Sequence, residues 1–466
     1  VLSIANVVKL LGLKGTGKLT DAVVKGYAID SRNVKKGHLF FAIKGDRTDG
    51  HLYLDEVYKS GAVGCVIDRR FKNIQHARSI LGEKKTAALK EYKNLLFVDD
   101  PVIALQTLAQ SIASKKTATT VAITGSCGKT TVKGLLVQAL AKKFKVGCNQ
   151  GNLNNQLGAP LSLLNADWDN DMYVAEIGAS RRGDIAELCS FIQPDLGIIT
   201  NVSPAHLQGF GSLEGVYETK TELGAYLVAH GGTIIADADD ERLIEILDNM
   251  KVNIVTFGLQ RVADFKATIL KEDDEHVTVL INSETEVKIN KFAVLNLKNA
   301  LAVIAGAHVL GLPIDTIKDV FTAFSPQNGR FTFVRKGPVT VINDSYNANP
   351  ASFTNALKLF TDVRHNGRKV LVCADMLELG DESDALHRTI GRKIGKSPIN
   401  VVVGIGHGGG LMIDACKAVN NSDRATYCVT DNKSALEILK KEMRDDDMIL
   451  FKASRGMRLE EIIERL

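Results

Sequence analysis

Short apolar runs, bounded by glycine and polar turns, recur along the chain and divide it into three segments. In residues 1–98 the runs "GYAIDSR", "HLFFAIKG", "GAVGCVID" and "NLLFVDD" have the length and β-branched or aromatic content of strands. The opening "VLSIANVVKLLGLKG" instead spaces its apolar residues for a helix, with Asn6 and Lys9 on the polar side. Between the second and third strands lies "KGDRTDGH", Lys44 to His51, a polar loop with two glycines that reads as a turn or as a ligand-binding loop. In residues 99–325, "SKKTATT" reads as a linker into the strand runs "TVAITG", "DMYVAEIG", "LGIITNV", "GTIIADAD" and "NIVTFG". Helical stretches lie between several of them, which predicts a mainly parallel sheet with helices on both faces. "FKATILKEDDEHVTVLINSETEVKIN" then alternates without helices, the signature of antiparallel hairpins added to that sheet. "FSPQNGR" breaks the pattern, and in residues 326–466 the runs "VTVINDSYN", "KVLVCADM", "NVVVGIG", "ATYCVTD" and "DMILFKAS" alternate with helices again, a doubly wound arrangement. The expectation is an α/β chain of three domains, 1–98, 99–325 and 326–466. "GHGGG" at Gly406–Gly410 lacks the GxGxxG spacing of a dinucleotide site.

Composition narrows the class. The chain has 466 residues, 45% of them hydrophobic and 24% charged, the balance of a soluble globular protein. A net charge of +4 gives no bulk attraction to nucleic acid. No run approaches the ~18 apolar residues of a membrane span, and no signal peptide is read at the start. Seven cysteines without metal-type pairing fit a reducing compartment. A cytoplasmic protein without stable membrane insertion follows as the expectation.

The chemistry begins at "VAITGSCGKTTVKGLL", Val121 to Leu136: strand, glycine loop, helix. A full Walker A motif requires glycine five residues before Gly128, where this chain has Ile123. The physical parts remain. Gly125 and Gly128 let backbone N–H groups face an anion, Lys129 brings a charge to the outer phosphates, and Thr130 or Thr131 offers a hydroxyl to Mg²⁺. A helix from about Thr130 adds its positive end. Cys127 reads as a small tolerated residue within the loop. Glu176 ends a buried strand, where a carboxylate needs a partner. His206 follows the next strand and reads either as a site residue or as a loop histidine packed by Pro204 and Phe210. Lys220, between Glu218 and Glu222 on a helix, reads on pattern alone as a solvated lysine.

Taken in order, these stretches resemble the Mur ligase family. "TGSCGKTT", "EIGAS", "NVSPAHLQGFGS", "LNLKNALAV" and "NGR" are its general marks, and "GNLNNQLGAPLSLL", "NDSYNANPASF", "DMLELGDESDALH" and "SRGMRLEEII" point to one branch. The family's phosphate loop is the shorter TGxxGKT type, which accounts for Ile123. The resemblance implies a UDP-binding α/β domain, a central P-loop ATPase domain and a C-terminal Rossmann-like domain. It implies an ATP-dependent ligase that makes an acyl phosphate and lets an amine displace phosphate. For the branch it implies UDP-N-acetylmuramoyl-tripeptide and D-alanyl-D-alanine as substrates, ATP and Mg²⁺ as cofactors, and a monomer with no nucleic-acid partner.

The same resemblance distributes roles. ATP falls to Gly125, Ser126, Cys127, Gly128, Lys129, Thr130, Thr131, Asn296, Asn299, Arg330 and Asp344. Thr130 and Glu176 are implied for one Mg²⁺, His206 and a carbamylated Lys220 for a second. Lys129, His206, Lys220 and Asn155 are implied as catalytic. Ser31, Arg32 and the loop Lys44, Gly45, Asp46, Arg47, Thr48, Asp49, Gly50 and His51 are implied for the UDP moiety. Tyr346, Asn347, Asn349, Ser454 and Arg455 are implied to face the substrates. The chain departs from the family pattern at Leu295, where relatives often carry His, at Ala453, where glycine is usual, and at Ser180, where Asn is common. Other readings are a folylpolyglutamate-synthase-like ligase, which would lack the UDP loop and "DSYNANP", and a nucleotide-binding subunit without catalysis. A GTPase would need a guanine motif such as NKxD, which is absent from the sequence.

Overall fold

The structure, a computed structural model, describes residues 2–13, 19–115, 117–167, 169–419 and 424–466. The chain divides into two compact units. One comprises Val1–Ala122, Lys145–Gly178 and Ala186–Asp195; the other comprises Ile123–Phe144, Ala179–Ile185 and Leu196–Leu466.

The first unit contains a four-stranded sheet of Gly26–Ala28, His38–Phe41, Gly64–Asp68 and Leu95–Val98, adjacent in that order and all parallel. Its inner strands are buried along nearly their whole length, which is why their sequences are continuous apolar runs rather than alternating ones. Phe40, Ile67, Phe71 and Leu81 form part of its core. Leu2–Ser3 pairs antiparallel with Val23–Val24. Ser3 then caps the expected first helix, Ile4–Leu10, in a capping box with Asn6. The helix Pro101–Ala113, capped by Asp100 with proline in its first turn, was not singled out by the pattern. Thr119–Thr124, Met172–Glu176 and Val146–Cys148 lie side by side in that order. Asn165 binds Tyr27 as a strand neighbour would: it accepts from the Tyr27 N–H at 2.9 Å and donates to its carbonyl at 3.0 Å.

In the second unit, Leu196–Ile199, Thr233–Asp237, Asn253–Gly258 and Phe265–Glu272 lie side by side in that order, and the last three pair in parallel with their predecessors. His276–Ile281 and Thr285–Asn290 complete an antiparallel meander, the expected hairpins. A six-stranded sheet runs Thr332–Lys336, Val339–Asp344, Met448–Lys452, Lys369–Ala374, Val401–Ile405, Ala425–Val429. Only its first pair is antiparallel, and apolar clusters cover both faces. That edge strand, Thr332–Lys336, was not legible as a strand in the sequence. The last strand inserts between Val339–Asp344 and Lys369–Ala374, so three carboxyl ends converge where strand order reverses, the place where open α/β sheets bind ligands.

Candidate functional site

The strand Thr119–Thr124 runs into the glycine loop. Gly125 has φ +143° and a Cβ there would lie 2.0 Å from the Thr200 hydroxyl; Gly128 has φ +83° and a Cβ there would lie 2.4 Å from Asn299 Oδ1. Only glycine fits either position. The loop is stapled to the next strand end. Asn201 accepts from the Ser126 and Cys127 N–H groups at 3.0 and 3.2 Å, and the Cys127 carbonyl accepts from Thr200 Oγ1 at 2.6 Å and Asn201 Nδ2 at 2.9 Å. The Ser126 hydroxyl donates to the Ser203 carbonyl at 2.8 Å. The helix Lys129–Leu140 starts from Gly128, which brings no side-chain cap, so its positive end faces the loop. Lys129 arches over the loop and donates to the Gly125 carbonyl at 2.7 Å. Thr130 and Thr131 are buried, and the Thr130 hydroxyl accepts from Arg330 Nη2 at 2.7 Å.

Asn296 caps the helix Leu297–Val309, accepting from the Lys298 N–H at 3.0 Å, and Asn299 donates to the Val294 carbonyl at 2.9 Å. Leu295 packs against the core of the six-stranded sheet, an apolar seat for the residue that departs from the family pattern. The Arg330 guanidinium lies 4.2 Å from the centre of the Tyr346 ring, and that of Arg455 lies 5.7 Å from it. Asp344 meets Lys452 at 2.8 Å. Burial still pushes its carboxyl above the usual range, against the pull of Lys452 and Arg330. Lys452 also donates to the Asn347 carbonyl at 2.7 Å. Asn349 caps the helix Pro350–Asp362 and donates from Nδ2 to the Ser126 carbonyl at 3.2 Å, so a residue expected to face substrate here touches the phosphate loop. The Ser454 hydroxyl accepts from the Leu377 N–H at 2.8 Å.

Lys220 is not a solvated helix lysine. Its residue is 2% exposed, and its ammonium sits 5.4 Å from the centre of the Phe210 ring. Burial first, and the charge of Lys129 second, bring its pKa down to about 7. Its acidic neighbours are occupied: Glu218 pairs with Arg182 at 2.8 Å, and Glu222 accepts from the Gly183 N–H at 2.7 Å. His206 stands in the left-handed region at φ +52°. Burial lowers its pKa, Glu378 opposing and Lys129 reinforcing the shift. Its Nδ1 contacts the Glu378 carboxylate, a partner that the sequence reading did not pick out.

In the first unit, Glu176 is buried at its strand end, where it accepts from Asn154 Nδ2 at 2.9 Å. Asn149 brackets its backbone, accepting from the Glu176 N–H at 2.9 Å and donating to its carbonyl at 2.8 Å. The adjacent Asn155 accepts from the Gly158 N–H at 2.8 Å and starts the helix Gly158–Leu164. Three carboxyl ends of the four-stranded sheet repeat one device: an aspartate accepts from the N–H two residues on and grips that residue's side chain. Asp30 holds Arg32, with Ser31 between them; Asp49 holds His51; Asp68 holds Arg70. Arg70 escaped the sequence reading because its partner is a strand residue. Lys44, Gly45, Asp46, Arg47 and Thr48 are exposed, Asp49 is half-buried, and Gly50 and His51 are buried, with Gly45 N–H donating to the Thr48 carbonyl at 2.9 Å. His51 stacks on Phe71 at 4.1 Å. Both its ring nitrogens are engaged, Nδ1–H toward Asp49 at 2.6 Å and Nε2 accepting from the Asp68 N–H at 3.1 Å, so it shapes the loop from beneath.

Among the described residues no group of three or more His, Cys, Asp or Glu forms a metal cage. Thr130 in the second unit and Glu176 in the first each carry an oxygen donor of the kind that Mg²⁺ takes.

A glycine phosphate loop between a parallel strand and a helix, with a buried lysine and a histidine at following elements, defines a P-loop nucleotide-using α/β protein. Three family descriptions match it in order: "Mur ligase family, catalytic domain" over 23–114, "Mur ligase middle domain" over 123–307 and "Mur ligase, glutamate ligase domain" over 329–455. The UDP-N-acetylmuramoyl-tripeptide–D-alanyl-D-alanine ligase of Bacillus subtilis is 30% identical, spanning 100% of this chain and 98% of the relative. A crystal structure of MurF from Acinetobacter baumannii superposes with a TM-score of 0.83 at 25% identity, covering 100% of this chain and 98% of that one. MurF ligase from Thermotoga maritima in complex with ADP gives 0.77 at 27% identity, over 96% and 97%. The chain belongs to the Mur ligase family.

Proposed function

We propose that the protein joins D-alanyl-D-alanine to UDP-N-acetylmuramoyl-tripeptide, forming the UDP-muramoyl-pentapeptide precursor of peptidoglycan with hydrolysis of ATP to ADP and phosphate. One observation carries this beyond the family name. Lys129 disfavours the charge of both His206 and Lys220, and Lys220 disfavours that of His206, so the three lie close together. Lys129 is the cation of this group and is suited to the negative charge of a transferring phosphoryl group, with His206 and Lys220 held toward their neutral, metal-binding forms beside it.

A substrate carboxylate oxygen attacks the γ-phosphorus, and ADP leaves. The dipeptide amine then attacks the acyl carbon and loses a proton, and the tetrahedral adduct expels phosphate. Lys129 holds the outer phosphates and offsets charge as the P–O bond to ADP breaks. Arg330, Asp344, Asn296 and Asn299 hold the nucleotide. Arg32, Ser31 and the Lys44–His51 loop hold the UDP end, with His51 acting through the loop's shape. Tyr346, Asn347, Asn349, Ser454 and Arg455 order the third domain's substrate side. One Mg²⁺ would be held by Thr130 and Glu176 and a second by His206 and Lys220 as its carbamate, and both would neutralise phosphate charge. Lys220 has the property this needs, because burial favours the neutral amine that reacts with CO₂.

The sheets support domain boundaries near 98 and 325: every strand of the four-, nine- and six-stranded sheets falls inside one of the three segments. A cytoplasmic monomer is part of the same reading. Seven free cysteines fit the reducing compartment of that reading; among the described residues, no helix is long and apolar enough to cross a membrane. The experiment is phosphate release from ATP with UDP-muramoyl-tripeptide, with and without D-alanyl-D-alanine. The expected result is release that requires both. Release with neither, or with a folate and glutamate instead, overturns the reading.

A further inference from the structure

The loop after the strand Lys369–Ala374, with the helix Ser383–Gly395 that follows it, reaches the turn that carries His206 and docks on it at three points. The Glu378 carboxylate takes His206 Nδ1, the Glu378 carbonyl accepts from the Gln208 N–H at 3.2 Å, and Leu386 packs on the cluster of Leu207, Phe210 and Val216. Both partners of the side-chain contact are held in the left-handed region, His206 at φ +52° and Glu378 at φ +64°. Neither is glycine, so each conformation costs backbone energy that the surrounding contacts must offset, a pattern that gathers at functional sites. The turn is coupled to the buried lysine as well. Phe210, whose ring meets His206 edge-on at 6.2 Å, is the ring beneath the Lys220 ammonium. Glu378 is therefore the first member of a chain of contacts, Glu378–His206–Phe210–Lys220, that starts on the six-stranded sheet.

We propose that Glu378 is a positioning residue for the ligase reaction: by taking the Nδ1–H of His206 it fixes the tautomer and ring orientation that leave Nε2 as the atom facing the reacting phosphate. This rests on the reading of His206 given above. A carboxylate behind a histidine is a common way to orient the other ring nitrogen, and losing one typically costs about 10–100-fold in affinity or activity. Glu378 itself touches neither nucleotide nor peptide in this role. The loop also gives the six-stranded sheet a physical hold on the catalytic turn, since Glu378 is carried by the segment that follows one of its central strands.

The test is steady-state phosphate release by Glu378→Ala, Glu378→Gln, Glu378→Asp, His206→Ala and the double variant His206→Ala/Glu378→Ala, with melting temperatures alongside. Expected are a 10–100-fold fall in kcat for Glu378→Ala, KM for ATP and UDP-tripeptide within about threefold, and an unchanged melting temperature. Glu378→Gln, which keeps an acceptor oxygen at the same reach, should recover most of kcat. Glu378→Asp, one methylene shorter, should not. In the His206→Ala background, removing Glu378 should cost nothing further. A Glu378→Ala enzyme with kcat near wild type, or a loss that adds in full to that of His206→Ala, overturns the proposal while leaving the reading of His206 intact. Full turnover by His206→Ala overturns that reading and the proposal with it.

Discussion

At the residue scale, the consequence of burial is chemical identity. Lys129 and Lys220 are both lysines, yet one bridges a loop as a cation while the other is held near neutrality inside a helix packing layer. Lys129→Ala should lose at least about 100-fold in kcat, since a positioned charge on a transferring phosphoryl group is worth several kcal/mol. Its melting temperature should stay near wild type, because the side chain lies at a loop surface; near-normal turnover would remove it from the reaction. For Lys220 the sign follows from the environment. Burial favours the amine, the form that the proposed carbamylation requires, since that reaction makes the side chain an anion only by starting from the neutral amine. Lys220→Ala should therefore lose most activity and regain part of it with millimolar short carboxylic acids, which can take the carbamate's place. Lys220→Arg should gain nothing from them, because a guanidinium keeps its fixed positive charge. Full activity of Lys220→Ala in CO₂-depleted buffer would show the lysine to be structural only.

At the element scale, the helix Leu297–Val309 is tied to the neighbouring strand ends by charge. Lys298 meets Asp237 at 2.7 Å and Asp239 at 2.9 Å. Asp239 also accepts from three consecutive amides, those of Leu259, Gln260 and Arg261, at 2.9–3.0 Å. Burial works against its charged form, but these amides and Lys298 outweigh it and hold its carboxyl well below the usual range. A depressed carboxylate contributes stability above its unfolded pKa and loses it as pH falls through the folded value. Asp239→Ala should then cost about 2–3 kcal/mol in urea unfolding at pH 7, the scale of charge-assisted hydrogen bonds left unmade. The gap to wild type should shrink below about pH 4, where the unfolded carboxyl protonates. A gap that persists unchanged at low pH would assign the loss to packing instead.

At the scale of the whole molecule, the proposed reading gives the two compact units different ligands, and hydrogen exchange can read them separately. UDP alone should slow exchange in the strand-end loops at 30–32, 44–51 and 68–70. An ATP analogue should slow it at 125–131 and 296–299. Protection of the glycine loop by UDP, or of the Lys44–His51 loop by ATP, would reverse the assignment of the two ligands. Arg70 belongs to this test because it repeats the Arg32 arrangement on the next strand but one.

What the sequence determined by itself is what depends on local pattern. Continuous apolar runs gave buried parallel strands, the alternating stretch after Gly258 gave the antiparallel meander, and the glycines of "TGSCGKTT" gave the phosphate loop, since only their missing Cβ atoms admit Thr200 and Asn299. The edge strand Thr332–Lys336 escaped because its residue types do not follow its alternating exposure, with Phe333 on the exposed side and Lys336 on the half-buried one, and the strand Val146–Cys148 is only three residues long. What the tertiary structure alone decided is which side chains meet and how deeply. Lys220 reads as solvated because a helix interior pattern carries no record of the ring and the neighbouring charge that will cover it. Glu378 lies 172 residues from His206, and no local signal encodes that distance. His51 sits in an exposed-looking polar loop, but the fold turns it inward onto Phe71 and uses both of its nitrogens. Burial and long-range pairing depend on the packing of all the elements together, so the charge state and partners of a residue are settled only once the chain has folded.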